Sequence, residues 1–388
     1  MKLVFWISAF LIGYVYAGYP LWAYFRSRWR SRPWRQDEIF PTVSVVMAVY
    51  NEAERIQEKL NNLFQQDYPA NRLEVVVVSD GSQDRTSEVL AKRRREGVRV
   101  FHYPEHRGKA VALNLGIQQA RGEIVVFTDA RQRLEPASMR YLVSNFSDST
   151  VGCVTGELIL RHADQTGTQA GVSLYWRYEK WMRKWEARTD SMVGATGAIY
   201  AVRRELLGTL PEGTILDDVY LPLQVVRAGY RAVFDPRARA WDSLSESNRD
   251  EFRRRVRTLA GNYQLLQLAP WLLHKENRIR FQLISHKLLR LFVPFFLAGL
   301  FLSSWWLAED LFYWIMALLQ SSFYLAAALG LGSPSKPLGR LLAAPAAFGL
   351  LNAAAVMGFV NFLFHRAALS RLWVSADARR LTRGGSRT

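Results

Sequence analysis

A run of valines that ends in an aspartate constrains the fold of this chain most strongly. In Leu73–Thr86 (LEVVVVSDGSQDRT), β-branched residues lead directly into Asp80 and a Gly-Ser turn, and a polar, helix-capping stretch follows. Such a run is typical of a strand buried in a parallel sheet, which brings its last side chain to the carboxyl edge. The pattern recurs in Glu123–Arg131 (EIVVFTDAR), where Asp129 takes the corresponding position. We therefore expect an α/β domain with carboxylates at one edge of its sheet.

Strand and helix patterns alternate over the first part of this region. The predicted elements are a strand at Thr42–Val49, a helix at Glu54–Gln66, a strand at Leu73–Ser79, a helix from Asp84 to about Glu96, a strand at Val98–Tyr103, a helix at Lys109–Ala120 and a strand at Glu123–Thr128. This spacing predicts right-handed crossovers and a doubly wound, mostly parallel sheet. After Val151 the alternation weakens, and a Trp-rich helix at Leu174–Ala187, a Gly-rich turn at 194–197 and a helix after Asp218 predict a mixed second half.

Four segments are apolar and long enough to cross a bilayer, for which about 20 residues are needed. They are Leu3–Phe25, Leu291–Ala308, Leu311–Leu331 and Leu341–Phe364. The first lacks the short apolar core of a signal peptide and ends in an arginine patch, which favours an uncleaved anchor. We expect a membrane protein with one large aqueous domain. The predicted divisions are an N-terminal transmembrane helix at 1–25, a basic linker at 26–41, a catalytic domain at 42–250, an amphipathic interfacial region at 251–285, transmembrane helices at 286–364 and a basic tail at 365–388.

The formal net charge of +17, from 51 basic and 34 acidic residues, has two explanations. Basic clusters at 26–35 and 253–257 flank the apolar segments, as the positive-inside rule and anionic lipids favour. Nucleic-acid binding is the rival explanation, but no helix-turn-helix, zinc-finger or RNA-binding signature supports it. The single cysteine, Cys153, excludes an intramolecular disulfide and suits a cytosolic domain. We expect a multi-pass protein of the inner membrane with a cytoplasmic catalytic domain; four crossings would put the basic tail outside, against the same rule, so the number of crossings stays open.

Several common site motifs are missing from the sequence. No G-x-G-x-x-G follows the first strand, and Gly108-Lys109 lacks the other residues of a P-loop. No paired His and Cys spacing indicates zinc, and no G-x-S-x-G marks a hydrolase. A phosphate group bound by this chain would therefore depend on a metal ion and side chains.

The carboxylates at the strand ends are candidates for a nucleotide and metal site. Asp84 is available as a helix cap, which would leave Asp80 able to accept hydrogen bonds from a base or ribose; a turn or cap role for Asp80 is the alternative. Asp129 can supply the hard oxygen that a pyrophosphate-bridging divalent cation needs, unless it serves only the turn.

Two further clusters have both a catalytic and a structural explanation. Asp217 and Asp218 precede a helix, where one could bind a cation or cap the helix and the other act as a base; a double N-cap is the alternative. The arginines at 253–255 and 257 could contact lipid head groups or stabilise a departing diphosphate. Trp176, Trp181 and Trp185 recur at helical spacing, which favours packing, although exposed aromatic rings there could stack on sugars.

Taken together, these motifs resemble membrane-bound family 2 glycosyltransferases, the inverting GT-A-type group that includes cellulose, hyaluronan, chitin and poly-N-acetylglucosamine synthases. The resemblance covers about residues 42–260 and the membrane layout, with the motifs in the family's order. It implies that Tyr50, Glu52, Asp80 and Lys109 contact the donor nucleotide, through the stretches AVYNE, DGSQDRT and RGKAVALN.

The resemblance also implies the remaining roles. Asp129 takes the first position of the D-x-D metal motif, so it would bind Mg²⁺ or Mn²⁺ and the donor. The GAIYAVRR stretch resembles the acceptor-side element, which assigns acceptor binding to Gly197 and Arg203, with Trp176 as a sugar-stacking candidate. The LDDVYL stretch matches the T-E-D-x-x-L block, which makes Asp218 the general base, with Asp217 beside it.

Two departures from the family pattern stand out. Arg131 replaces the second acid of D-x-D, and the Q-x-x-R-W block of processive synthases is read as Phe252-Arg253-Arg254-Arg255-Val256, without its glutamine and tryptophan. We expect Arg254 or Arg255 to stabilise the leaving diphosphate, and we expect sugar transfer even if processive polymerisation is lost.

The predicted function is the inverting transfer of a sugar from a nucleotide-sugar donor, UDP-linked, to a polysaccharide or lipid-linked acceptor, forming a β-glycosidic bond. The expected partners are the donor, the acceptor, membrane lipids and other polysaccharide-synthesis subunits, but not nucleic acid. The alternative is a catalytically inactive glycosyltransferase-like membrane subunit, which the missing second metal-motif acid would favour.

Overall fold

A computed structural model describes residues 1–93, 97–161, 168–243, 248–332 and 341–364. The strands are β1 Val43–Val49, β2 Leu73–Asp80, β3 Val98–Tyr103, β4 Ile124–Phe127, β5 Arg133–Leu134, β6 Val151–Arg161, β7 Tyr200–Arg203 and β8 Arg231–Ser243. The helices are α1 Lys2–Trp29, α2 Ala53–Phe64, α3 Thr86–Arg93, α4 Lys109–Gln119, α5 Ser138–Ser144, α6 Thr168–Thr189, α7 Asp217–Arg227, α8 Asn248–Leu268, α9 Arg280–Trp306, α10 Leu311–Gly332 and α11 Ala343–Phe364.

The strands form one eight-stranded sheet in the order β3-β2-β1-β4-β7-β6-β8-β5. The first four strands are parallel, with Val45 opposite Val75 on one side and Val126 on the other. Strand β7 is antiparallel to β4 and β6, β8 is parallel to β6, and β5 is antiparallel to β8. The predicted doubly wound, mostly parallel sheet and its mixed second half are confirmed.

The centre of the sheet is buried because helices cover both faces. Every residue of β1 is buried, which explains why its sequence lacks a polar alternation. On α2, Ile56, Leu60 and Leu63 form an apolar stripe and are fully buried. Burial of each such side chain contributes roughly 1.5–3 kcal/mol. Helix α4 packs so closely that a Cβ atom at Gly116 would lie 2.5 Å from Val46 Cγ1.

Four helices are long and apolar enough to cross a membrane: α1, α9, α10 and α11. One lies at the N-terminal end and three at the C-terminal end, as the sequence predicts. Helix α1 continues to Trp29, beyond the predicted end, and has a π-helical turn at Tyr14–Gly18. Helix α9 starts at Arg280, before the predicted span, and has a π-helical turn at Leu283–Leu288. The basic tail after Phe364 lies outside the described residues.

Buried polar contacts join the sheet domain to two of the apolar helices. Glu186 of α6 accepts a hydrogen bond of 2.7 Å from the Tyr19 hydroxyl of α1. On the same helix face, Glu179 forms ion pairs with Lys287 and Arg290 of α9. Burial raises the pKa of Glu179, but the positive charges of α9 outweigh it, so that the pKa lies well below its ordinary value. This carboxylate therefore stays ionised at the junction.

Helix α8 lies between the sheet domain and the apolar helix α11. A Cβ atom at Gly358 of α11 would lie 3.0 Å from the Ala260 backbone nitrogen of α8. The absence of a side chain at Gly358 lets the two helices approach closely, as small residues do at helix interfaces in membranes.

Candidate active site

A lysine joins two aspartates at the carboxyl edge of the sheet. Lys109 is the first residue of α4, and its Nζ lies 3.1 Å from Asp129 Oδ1, just beyond β4. The same Nζ lies 3.1 Å from Asp217 Oδ1, at the start of α7. Burial lowers the pKa of Lys109, but the neighbouring carboxylates outweigh it and raise the pKa above its ordinary value. Lys109 is therefore a permanent positive charge at the centre of the cleft.

Asp218 is held in place by the turn that precedes β7. Its Oδ2 accepts a 2.9 Å hydrogen bond from the Gly197 amide, and its carbonyl accepts one of 2.8 Å from the Ala195 amide. Burial and the charge of Asp217 raise the pKa of Asp218 to about 6, against the opposing effect of Lys109. A carboxylate with this pKa is ionised at neutral pH and basic enough to accept a proton.

Asp217 has a different environment from its neighbour. Besides the contact with Lys109, its Oδ2 accepts a 3.1 Å hydrogen bond from the Tyr200 hydroxyl, and it is 3% exposed. Its two oxygens are thus engaged by a cation and a phenol, unlike those of Asp218. Tyr200 lies at the site edge because β7 pairs it with Phe127, the last residue of β4.

Arg257 of α8 faces these carboxylates. Burial lowers the pKa of Arg257 below its ordinary value, against the opposing effect of the negative charges of Asp129, Asp217 and Asp218. The arginine nevertheless stays protonated because a guanidinium is a very strong base. The sequence interpretation included Arg257 in a basic run but assigned stabilisation of the leaving diphosphate to Arg254 or Arg255. The signal that could have identified it is helical periodicity, since Arg257 and buried Ala260 are three positions apart on α8.

The Asp129 carboxylate combines exposure with a strongly positive environment. Its side chain is 41% exposed. Burial of the group raises its pKa, but Lys109, Arg131 and Arg257 outweigh this, and the pKa lies below its ordinary value. Asp129 is therefore an ionised, accessible hard-oxygen donor.

Lys59 of α2 holds the Asp129 loop through hydrogen bonds. This residue of α2 is 2% exposed, and its Nζ donates hydrogen bonds to Thr128 Oγ1 at 2.8 Å and the Gln132 carbonyl at 2.6 Å. Burial lowers the pKa of Lys59 to about 7. Sequence reasoning missed this residue, because a lysine on a helix ordinarily points to solvent.

Asp80, predicted to contact the nucleotide, has hydrogen-bond partners within the protein. Asp80 is 0% exposed, and its two carboxylate oxygens accept 2.8 Å hydrogen bonds from the amides of Arg107 and Gly108. His106 Nδ1 also lies 2.8 Å from Asp80 Oδ2. Asp80 instead fixes the loop that leads into Lys109. Asp84 caps α3 by accepting a hydrogen bond from the Thr86 amide. It also accepts one from the Ala53 amide at the start of α2.

The segment after β1 lies at the same edge of the sheet. The Tyr50 ring is 4.3 Å from that of His106, centroid to centroid. Burial raises the pKa of Glu52, whose side chain lies 3.5 Å from Arg55. The Glu52 amide is bonded to Thr86 Oγ1 at 2.8 Å, which ties this segment to the turn after β2.

Arg203, predicted to bind the acceptor, lies away from the sheet edge that carries Asp129. Its guanidinium donates hydrogen bonds to the carbonyls of Val151, Phe146 and Asp148. Register explains this: Arg203 pairs with Ile124 at the start of β4, the opposite end from Asp129. Arg203 is three positions along β7 from Tyr200, a distance of about 10 Å.

Trp176 contacts Arg255, one of the two arginines that the sequence assigned to the leaving diphosphate. The Arg255 guanidinium lies over the Trp176 ring, 5.1 Å from its centroid, and Arg255 is 8% exposed. Cation–π stacking of this kind joins α6 to α8.

The arrangement can bind one hard cation and one anionic ligand. Within the part of the chain that the structure describes, no three His, Cys, Asp or Glu side chains are grouped so as to hold a metal by themselves. A cation at Asp129 would need further ligands from elsewhere, which is the usual situation for Mg²⁺ bridging substrate phosphates. A carboxylate with a raised pKa, an exposed carboxylate and cationic side chains are thus grouped at one edge of the sheet.

Comparison with known proteins agrees with this arrangement. The family described as glycosyl transferase family 2 matches residues 44–210, which include β1–β4, β7, Lys109 and Asp129. A mannosyltransferase from Pyrobaculum calidifontis, solved in complex with GDP-Man and Mn²⁺, is similar in structure with a TM-score of 0.65 and 25% identity. That similarity covers 93% of this chain and 99% of the mannosyltransferase chain, so it includes the apolar helices.

Two curated relatives are similar in sequence. A probable glycosyltransferase, YdaM of Bacillus subtilis, is 29% identical over 64% of this chain and 63% of its own length. The poly-beta-1,6-N-acetyl-D-glucosamine synthase of Staphylococcus aureus is 26% identical over 58% of this chain and 55% of its own length. The match therefore spans less than two thirds of either relative.

The described residues have the GT-A-like fold of glycosyltransferases, with four apolar helices that support membrane association. Residues 44–210 match the glycosyl transferase family 2 model, so the chain contains a domain of that family.

Proposed function

We propose that this enzyme moves a sugar from a nucleotide-sugar donor, UDP-linked, to a polysaccharide or lipid-linked acceptor, with inversion at the anomeric carbon. The observation that carries the proposal is the grouping of Asp129, Lys109, Asp217 and Asp218 at one sheet edge. The similarity to a mannosyltransferase solved with GDP-Man and to a poly-N-acetylglucosamine synthase supports a nucleotide-sugar donor.

Asp218 is proposed as the general base. It takes the proton of the acceptor hydroxyl, whose oxygen attacks the anomeric carbon while the bond from that carbon to the diphosphate oxygen breaks. The raised pKa of about 6 matches this role, because the carboxylate is ionised at neutral pH yet retains basicity. Attack opposite the leaving group converts an α-linked donor into a β-glycoside. The Gly197 amide fixes the direction of the base.

The negative charge of the leaving nucleoside diphosphate needs compensation. Asp129 would hold a divalent cation, Mg²⁺ or Mn²⁺, and when bound this ion supplies charge neutralisation to the diphosphate. Lys109 orients Asp129 and adds a positive charge, and Arg257 is proposed as the leaving-group arginine in place of Arg254 or Arg255. Charge-assisted bonds of this type are stronger than neutral ones.

The remaining contacts are proposed from the segments at the same edge. Tyr50 and Glu52 would contact the nucleotide, Gly197 would line the acceptor side, and Trp176 would contribute at the margin. The catalytic domain would lie on the cytoplasmic side of the inner membrane, where nucleotide sugars are available, with membrane lipids around the apolar helices. Other polysaccharide-synthesis subunits are proposed partners.

The test uses washed membranes that contain the full chain, incubated with radiolabelled UDP- and GDP-sugars and either Mg²⁺ or Mn²⁺. We expect one donor to label a product, and sizing of that product distinguishes single transfer from polymerisation. Asp218→Asn should reduce transfer by about 10²–10⁴-fold, the usual contribution of a general base. An unchanged rate in Asp218→Asn membranes would refute the base assignment, and no transfer from any donor would favour an inactive subunit.

A further inference from the structure

Arg131 lies where the family's metal motif has its second acid, and the structure fixes its position. Its Nη2 lies 2.7 Å from Asp242 Oδ2 of β8, and Asp242 is buried. The same carboxylate oxygen accepts a 3.1 Å hydrogen bond from Gln132 Nε2. Two neighbouring side chains of the Asp129 loop, Arg131 and Gln132, thus contact the same buried carboxylate of Asp242.

Arg131 is nevertheless part of the cleft. Its side chain is 36% exposed, so the guanidinium is accessible to a ligand. Arg131 lies two residues after Asp129 in the same loop. This loop therefore brings a second cation close to the proposed metal carboxylate.

The exchange of an acid for an arginine reverses the charge at this position. A carboxylate here would contribute negative charge and attract a cation, which would then neutralise the diphosphate. An arginine supplies positive charge directly, and its planar donors match phosphate oxygens in a bidentate manner. The ion pair with Asp242 holds the guanidinium in one orientation, which reduces the entropy lost on binding.

We propose that Arg131 is a diphosphate-binding residue of the donor site and replaces part of the charge neutralisation that a fully coordinated metal ion would supply. This inference rests on the proposed function, since it requires a nucleoside diphosphate in the cleft. Asp242 is the positioning residue that aims Arg131.

The chain offers a matched control. Arg237 Nη2 also lies 2.7 Å from a buried aspartate, Asp235, and the Arg237 side chain is 43% exposed. The two ion pairs are alike in length, exposure and burial of the acid. Arg237→Ala therefore removes an ion pair of the same length, together with a cation–π contact to Tyr141. It differs from Arg131→Ala by the lack of any proposed ligand role.

The experiment measures binding of UDP and of GDP to the purified full chain by isothermal titration calorimetry, in Mn²⁺ and in EDTA. We expect the wild-type chain to bind one nucleotide in both conditions, and Arg131→Ala to bind it about 10–100-fold more weakly in EDTA, as loss of a charge-assisted contact predicts. Arg131→Asp should bind in Mn²⁺ but not in EDTA. Arg237→Ala should bind like the wild type. If Arg131→Ala does not fold, Arg131→Lys, which keeps the charge but loses the planar donors, is measured in its place.

Three results would overturn the proposal or its basis. Equal affinities of Arg131→Ala and Arg237→Ala in EDTA would reduce Arg131 to a structural contact. Loss of all wild-type binding in EDTA, with binding retained in Mn²⁺, would show that Arg131 does not compensate for the metal, while the proposed function stands. Absence of nucleotide binding in both conditions would overturn the proposed function together with this inference.

Discussion

His286 Nδ1 of α9 lies 2.9 Å from Glu186 Oε1 of α6, and both side chains are buried. This pair connects the long helix of the catalytic domain with the start of an apolar helix. Removal of Glu186 would leave both His286 and the Tyr19 hydroxyl without this acceptor, and an unsatisfied buried polar group costs about 1–3 kcal/mol.

We therefore predict that Glu186→Ala lowers the melting temperature of the detergent-purified chain. Glu186→Gln retains an acceptor oxygen of the same reach and should lose less. Differential scanning fluorimetry with a thiol-independent readout measures both variants. Equal melting temperatures of Glu186→Ala and the wild type would show that the junction does not contribute to stability.

The pH dependence of turnover should report Asp218. Burial and Asp217 raise the pKa of Asp218 to about 6, so the group is protonated and inactive as a base below that pH. With saturating donor and acceptor, kcat should rise about tenfold per pH unit below 6 and level off above it. Asp67→Asn, at an exposed carboxylate, should retain this profile. A flat profile between pH 5 and about 7 would contradict the assigned base.

Arg257 should matter more than the arginines that precede it on α8. Arg257→Lys keeps a positive charge but loses the planar donors, so we predict a fall in kcat of about tenfold or more with little change in donor affinity. Arg253→Lys, at an exposed position, should be near wild type. The assignment fails if Arg253→Lys and Arg257→Lys reduce kcat equally in steady-state assays.

Lys59 should make stability depend on pH above neutrality. The unfolded chain holds this proton up to about pH 10.4, whereas burial lowers the pKa in the folded chain to about 7. The unfolded state therefore binds more protons between these values, and the folded state gains up to about 1.4 kcal/mol per pH unit as the pH rises. Lys59→Met lacks this gain.

Melting temperatures measured from pH 7 to about 9 test this sign. The wild type should gain stability relative to Lys59→Met across that interval, and the difference should not change below pH 7 because Lys59 is then protonated in both states. A constant difference over the whole interval would show that Lys59 is charged in the folded protein.

Alanine substitutions at two glycines with positive φ distinguish the cost of backbone strain from the cost of a steric clash. Gly81 has φ +68°, and a Cβ atom there would lie 2.4 Å from the backbone of residues 105–106. Gly97 has φ +86°, and nothing lies within 4 Å of its Cβ position. Both alanine substitutions strain the backbone, by roughly 1 kcal/mol each.

Gly81→Ala should cost considerably more than Gly97→Ala and should also weaken nucleotide binding, because it displaces the loop that Asp80 fixes before Lys109. Melting temperatures and UDP titrations of both variants measure the two effects. Similar losses in the two variants would indicate that strain alone governs position 81.

The sequence predicted the sheet well because its signal is local. The four consecutive valines of β2 and the apolar residues of β1 predict buried strands, and Asp129 follows the end of β4 by two residues. The structure brings Lys109, Asp217 and Asp218 together because Lys109 begins α4 and the two aspartates begin α7 at that edge.

The sequence was least informative where the direction of a side chain decides its contacts. Nothing in the DGS motif reveals that the loop at 106–108 covers Asp80, since that contact links residues more than 25 positions apart. Arg203 could not be excluded as an acceptor residue without the antiparallel register of β7, and Arg257 could not be preferred to Arg254 without the orientation of α8.

The glycine at position 358 has a consequence for how this enzyme responds to its surroundings. Through it, a helix long enough to span the bilayer lies against α8 less than one turn from Arg257. A bilayer of different hydrophobic thickness changes the tilt of such a helix. Because α8 packs against this helix, we expect the position of Arg257, and with it the rate of transfer, to depend on lipid composition.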